Sequence, residues 1–136
     1  MLVATNMPDA RATVRVLIVD DQAFFRRAAR SVVELTPGFI VVGEAETGEA
    51  SIDAARELQP HLVLMDVHLP GIDGFEATRR MLAVGDTEPP VILLLSTYEP
   101  ESFDEPSECG AAAYLTKAEF GSAPLAAAWA AAMAST

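Results

Sequence analysis

Three carboxylates, one hydroxyl and one ammonium stand where runs of apolar residues end. Asp20 and Asp21 close "VRVLIVDD", Asp66 closes "HLVLMD", Ser96 closes "PVILLLS" with Thr97 behind it, and Lys117 closes "AAAYLTK". Lys117 is the only lysine of the chain. Carboxylates gathered in one place repel one another unless a positive charge sits among them. Oxygen ligands of this kind suit Mg2+, which takes one or two carboxylates and keeps several waters. A cation, an ammonium and a hydroxyl around a further carboxylate would neutralise the oxygens of a phosphoryl group. Asp66 then has the surroundings of a nucleophile toward phosphorus, with an acyl phosphate as the product.

Each of these residues also has a plainer use. An aspartate after a strand is often a turn residue or a helix cap, and Asp21 is a candidate N-cap for the helix that follows. Ser96 can simply end its strand, and Lys117 can be a solvated charge. The weight lies in the joint pattern, because four separate apolar runs end in the groups that one reaction needs. Behind Asp66 the chain turns through Pro70, Gly71 and Gly74. Proline restricts one φ angle and the glycines admit conformations that other residues resist, so this loop reads as a device for placing the carboxylate.

The elements that must position these groups follow from periodicity. "VRVLIV" (14–19) is apolar almost throughout, as in a strand covered on both faces. The stretch 22–35 has apolar residues at 24, 25, 28, 29, 32, 33 and 35, a helical spacing, and Pro37 and Gly38 stop it. The unit repeats: strand 39–45, a helix from Gly48 closed before Pro60, strand 61–66, helix 75–84, strand 90–96, a weaker strand 111–117, and an Ala-rich helix 123–134 with Pro124 near its first turn. Such alternation with short loops predicts a parallel sheet wrapped by helices on both faces, with reactive groups at the carboxyl ends of the strands. Between Ser96 and Gly110 a fourth helix is due, but Pro100 and Pro106 interrupt it. Proline inside a helix costs about 3 kcal/mol, so a short or irregular helix is expected there.

Composition bounds the function. The chain has 136 residues, 51% of them hydrophobic, which predicts one well-buried domain, preceded by a loose tail up to Thr13. Nine basic against 20 acidic residues leave a formal net charge of −11, the wrong sign for a nucleic-acid surface and suited to positively charged partners or ions. No apolar run approaches the roughly 18 residues that span a bilayer, and the first residues lack the pattern of a secretory signal. A cytoplasmic protein without direct nucleic-acid or membrane contact is expected. The single cysteine, Cys109, excludes an internal disulfide and reads as a small packed residue.

In order and spacing, "VLIVDDQ", "LVLMDVHLPGIDGFE", "VILLLST" and "AAAYLTK" resemble the motifs of the receiver domains of two-component response regulators. The resemblance covers about residues 14 to 134 and is nearest to receivers that normally precede a helix-turn-helix DNA-binding domain. It implies a flavodoxin-like five-stranded sheet of order 2-1-3-4-5. It makes Asp66 the phosphoacceptor and puts Asp20, Asp21, Asp66 and the backbone carbonyl of His68 around Mg2+. Ser96 becomes the hydroxyl that swings toward the phosphoryl group, Lys117 its cationic partner, and Tyr114 the aromatic that moves inward with that hydroxyl. His68, its side chain toward solvent, and Tyr98 flank the phosphoryl group and modulate its lifetime. A histidine kinase or phosphotransfer protein is the implied donor and a protein the implied target. The face of fourth helix, fifth strand and fifth helix is the expected output and homodimer surface. Ala118 stands where many receivers carry proline after the lysine.

The expected function is therefore a stand-alone phospho-accepting switch, without an output domain of its own and without turnover of a free substrate. The competing reading is a phosphorylation-independent interaction module that keeps the site by ancestry, motivated by the disturbed fourth helix. An ordinary enzyme fares worse: there is no G-x-x-x-x-G-K-[ST] loop for a nucleotide and no Gly-rich phosphate loop after the first strand. Trp129, among alanines of the last helix, either covers the core or anchors a partner.

Overall fold

The computed structural model describes residues 13–85, 88–97 and 106–134. The expected N-terminal tail, apart from Thr13, lies outside the described residues, as do Tyr98 and Pro100. Five strands, β1 (Val14–Val19), β2 (Phe39–Ala45), β3 (Leu62–Asp66), β4 (Val91–Ser96) and β5 (Ala113–Thr116), alternate with helices α1 (Ala23–Glu34), α2 (Gly48–Leu58), α3 (Gly74–Ala83) and α4 (Ser122–Ala134). All strand pairs are parallel, in the order β2-β1-β3-β4-β5. This is the expected flavodoxin-like arrangement. Among the described residues between β4 and β5 the helical content is one 3-10 turn, Pro106–Cys109, in keeping with an irregular fourth helix. The fifth strand is shorter than expected, because Ala111 and Ala112 precede the β4 pairing that starts at Leu93 and Ala113.

The unbroken apolar runs of β1, β3 and β4 have a simple cause: each strand feeds two cores. Val16, Ile18, Leu62, Leu64, Leu93 and Leu95 face one side, where Ala29 and Val33 of α1 and Leu125 of α4 cover them. Leu17, Val19, Val63, Met65, Ile92 and Leu94 face the other, under Ala77 and Met81 of α3 with Leu58 of α2. Burying each such side chain fully stabilises the fold by about 1.5–3 kcal/mol. Trp129 belongs to the first core, half-buried, its ring set edge-on to Phe39 at 6.3 Å. Cys109 is buried in the second.

Two of the helix starts are set by side chains. Thr47 caps α2 by accepting from Ala50 N at 3.0 Å, and Asp73 caps α3 by accepting from Glu76 N at 2.8 Å. Asp21 does not cap α1. The N-cap there is Gln22, whose side chain makes no capping bond, while Asp20 Oδ1 accepts from Gln22 N at 2.8 Å. The buried aspartate thus holds the loop, and Asp21 is left facing solvent. No helix among the described residues is long and apolar enough to cross a membrane.

Candidate functional site

In this strand order the chain reverses direction across the sheet between β1 and β3, and a crevice opens at their carboxyl ends. Asp20 follows β1 and Asp66 ends β3, so the two carboxylates meet at that switch point. Both are buried, at 1% and 4% exposure. One oxygen from each of Asp20, Asp21 and Asp66 lies within 4.8 Å of the others. Lys117, immediately after β5, reaches in with its ammonium 2.7 Å from Asp20 Oδ2 and 3.6 Å from Asp66 Oδ2. The ammonium also sits over the Phe25 ring, whose centroid lies 4.3 Å from Nζ. Among the described residues no peptide bond is cis, so the bond from Lys117 to Ala118 is trans.

The other expected residues divide into those at the pocket and those outside view. Ser96, fully buried, ends β4 beside β3, and its carbonyl accepts from Lys117 N at 2.7 Å. Tyr114 on β5 is half-buried and packs on the α2/α3 side. Ser96 pairs in register with Thr116 and Leu94 with Tyr114, so Ser96 and Tyr114 lie on one face of adjacent strands. His68 N donates to Asp66 Oδ1 at 3.3 Å while the His68 side chain is exposed, as expected. Thr97, the next residue after Ser96, is exposed.

The loop behind Asp66 is built by close approach. Gly74 N donates to the Val67 carbonyl at 2.9 Å, and a Cβ on Gly74 would run into the Asp66 carbonyl and lie 2.9 Å from Val67 Cα. Gly71 has φ +76°, a conformation that favours glycine. Glu49, from the first turn of α2, lies against it and accepts from Ile72 N at 3.4 Å.

Charge in the pocket is unbalanced. Burial pushes the Asp66 carboxyl up to about 7, and the neighbouring Asp20 charge adds to the rise, against the lowering effects of Lys117 and the His68 N–H. Asp20 Oδ2 is buried without a hydrogen bond, although the Lys117 ammonium is 2.7 Å away. The contact is an ion pair with a single cation, and a carboxylate oxygen has a second lone pair for another ligand. An all-oxygen donor set, an open lone pair and a surplus of negative charge fit a hard divalent cation.

Two residues of the site escaped sequence reasoning. Phe25 shapes the path of Lys117. Arg26 donates from Nη1 to the Asp20 carbonyl at 2.8 Å and from Nε to Glu44 Oε1 at 3.0 Å. Both lie in the first turn of α1, and that position after the "DD" pair was the available signal.

Comparison with known proteins agrees with this geometry. The profile of the response regulator receiver domain matches residues 16–128. Response regulator GacA of Pseudomonas protegens is 42% identical over 106 residues, which cover 76% of this chain and 48% of that protein. The chain spans about half the length of the curated relatives it matches first. Among solved structures, a LuxR-family two-component response regulator from Aurantimonas sp. SI85-9A1 superposes with a TM-score of 0.79 at 34% identity, covering 90% of this chain and 86% of that one. The receiver domain of the response regulator NarL from Mycobacterium tuberculosis gives 0.79 at 29% identity, covering 89% and 97%. Switch-point pocket, sheet order and sequence agree, and the chain belongs to the response regulator receiver domains of two-component signalling.

Proposed function

We propose that this receiver is a working phosphoacceptor, with residues 14–136 as the receiver unit and Asp66 as the residue modified. The observation that carries the reading is the set of three carboxylate oxygens within 4.8 Å of one another, with one ammonium 2.7 Å from Asp20 and 3.6 Å from Asp66. In the reaction an Asp66 oxygen attacks the phosphorus of a phosphohistidine on a partner kinase or phosphotransfer protein. The new O–P bond forms as the P–N bond breaks, and its electron pair returns to the imidazole. Lys117 offsets the charge gathering on the phosphoryl oxygens. The Ser96 hydroxyl, buried at the end of the neighbouring strand, turns to donate to one of them. Asp20, Asp21, Asp66 and the His68 carbonyl would hold Mg2+, whose charge would neutralise the incoming oxygens and favour the anionic form of Asp66.

Once Ser96 moves, Tyr114 on the same face of β5 follows it inward, and the surface over β5 and α4 changes for a protein target. His68 at the rim and Tyr98 limit access of water to the acyl phosphate and so its lifetime. The test is reduction of the protein with borohydride after treatment with a small phosphodonor. An acyl phosphate at Asp66 is converted to homoserine at that position, which peptide mapping locates. Homoserine at another aspartate, or at none, would leave a phosphorylation-independent interaction module as the better account.

A further inference from the structure

Arg26 is a positively charged side chain beside an acidic pocket, yet it does not reach the carboxylates. Its guanidinium spans two elements. Nη1 donates to the backbone carbonyl of Asp20 at 2.8 Å, and Nε donates to Glu44 Oε1 of β2 at 3.0 Å, with Nη2 4.0 Å from Glu46. The Arg26 side chain is 14% exposed, so these bonds are largely shielded from water. On the other side of the same residue, Asp20 N donates to the Ala45 carbonyl at 3.1 Å. The peptide that joins Asp20 to Asp21 is thereby fixed at its carbonyl by α1, while the residue before it is fixed by β2. Asp21 has no cap or strand pairing of its own and faces solvent. What holds its carboxylate near the other two is therefore the orientation of that peptide.

We infer that Arg26 is a positioning residue for the cation site: by clamping the Asp20 carbonyl it sets the Asp20–Asp21 peptide and keeps both carboxylates in register with Asp66. The inference rests on the reading of Asp20 and Asp21 as cation ligands. Groups outside the ligand shell that orient the ligands commonly govern metal affinity in this way. Lysine in place of Arg26 keeps the charge but cannot bond the carbonyl and Glu44 together through a planar fork.

The sign of the effect separates this role from a plain field effect. If Arg26 acted only through its charge, removing it beside three carboxylates would tighten Mg2+ binding. If it positions the ligands, removing it weakens binding. Arg30 is the internal control, since it bonds the same Glu44 at 2.6 Å from Nη2 and pairs otherwise with Glu34 rather than with the pocket.

The experiment is calorimetric titration of Mg2+ into the unphosphorylated wild type, R26Q, R26K and R30Q, with urea melts to confirm folding. R26Q and R26K should both bind Mg2+ about tenfold or more weakly, and R30Q should bind as wild type. Should R26Q and R26K not fold, Glu44→Asp carries the test: it keeps the charge but shortens the reach to Arg26 Nε, so Mg2+ binding weakens if the clamp positions the ligands and stays at the wild-type value if only charge matters. Wild-type affinity or tighter binding in R26Q, or an equal loss in R30Q, overturns the assignment. A wild type that shows no Mg2+ binding removes the cation-site reading itself, a result distinct from a wild type that binds and an R26Q that matches it.

Discussion

Replacing Asp66 by asparagine should stabilise the unphosphorylated, cation-free protein at alkaline pH. The folded protein holds the Asp66 proton with a pKa of about 7, against 3.8 for the unperturbed side chain, chiefly because the group is buried and Asp20 lies beside it. A raised carboxyl binds its proton more tightly folded than unfolded. Its contribution to stability is therefore greatest below the unfolded value and declines as pH rises toward the folded one. A shift of roughly three units corresponds to at most about 4 kcal/mol over that window. Solvent at the pocket mouth reduces it, and about 1–2 kcal/mol between pH 5 and pH 8 is a reasonable expectation. Asparagine keeps the shape without a charge, and Lys117 retains Asp20 at 2.7 Å as its partner. The stability difference between D66N and wild type, from urea melts in EDTA, should widen by that amount from pH 5 to pH 8. Mg2+ at pH 8 should narrow it by stabilising the wild type. A difference that is constant with pH, or a D66N protein less stable than wild type at pH 8, would refute the reasoning.

Other expectations follow from single contacts. Gly74→Ala places a methyl group against the Asp66 carbonyl and Val67 Cα; it should cost about 1–3 kcal/mol in chemical denaturation and slow Asp66 modification. Lys117→Gln removes the ammonium between the two buried carboxylates; the rate of phosphorylation should fall by about two to three orders of magnitude with any phosphodonor. A rate within about threefold of wild type would contradict Lys117's role. Trp129→Ala loses the edge-on contact with Phe39 and should lower stability by about 2–3 kcal/mol while leaving the initial phosphorylation rate unchanged, which a thermal melt and a rate assay together would check.

Much of the architecture was legible because it depends on local pattern. The run Val14–Val19 was readable as a doubly covered strand from its lack of polar residues, and its observed bounds agree. The α/β alternation then sufficed for parallel pairing, since right-handed crossovers leave few alternatives. The groups that end the strands were readable for the same reason: Asp20, Asp66, Ser96 and Lys117 occupy fixed places relative to apolar runs. What sequence reading could not supply was the difference between Asp20 and Asp21. They are neighbours of one type, yet one is buried and holds the α1 loop while the other faces water. Strand end and helix start compete for that pair, and the bonds that hold Asp20 include ones from distant elements: its N–H donates to the Ala45 carbonyl and Lys117 pairs with its carboxylate. Phe25 beneath Lys117 was equally hidden, because the partners are 92 residues apart in the chain and meet only when β1 and β5 take their places in one sheet.

The central claim is that Asp66 accepts a phosphoryl group with the help of a divalent cation. Its most direct test is the intact mass of wild type and D66N after incubation with acetyl phosphate, with Mg2+ and with EDTA. The account predicts a gain of one phosphoryl group in the wild type with Mg2+ alone, and none in D66N or in EDTA. No gain in the wild type at any Mg2+ concentration, or an equal gain in D66N, would contradict it.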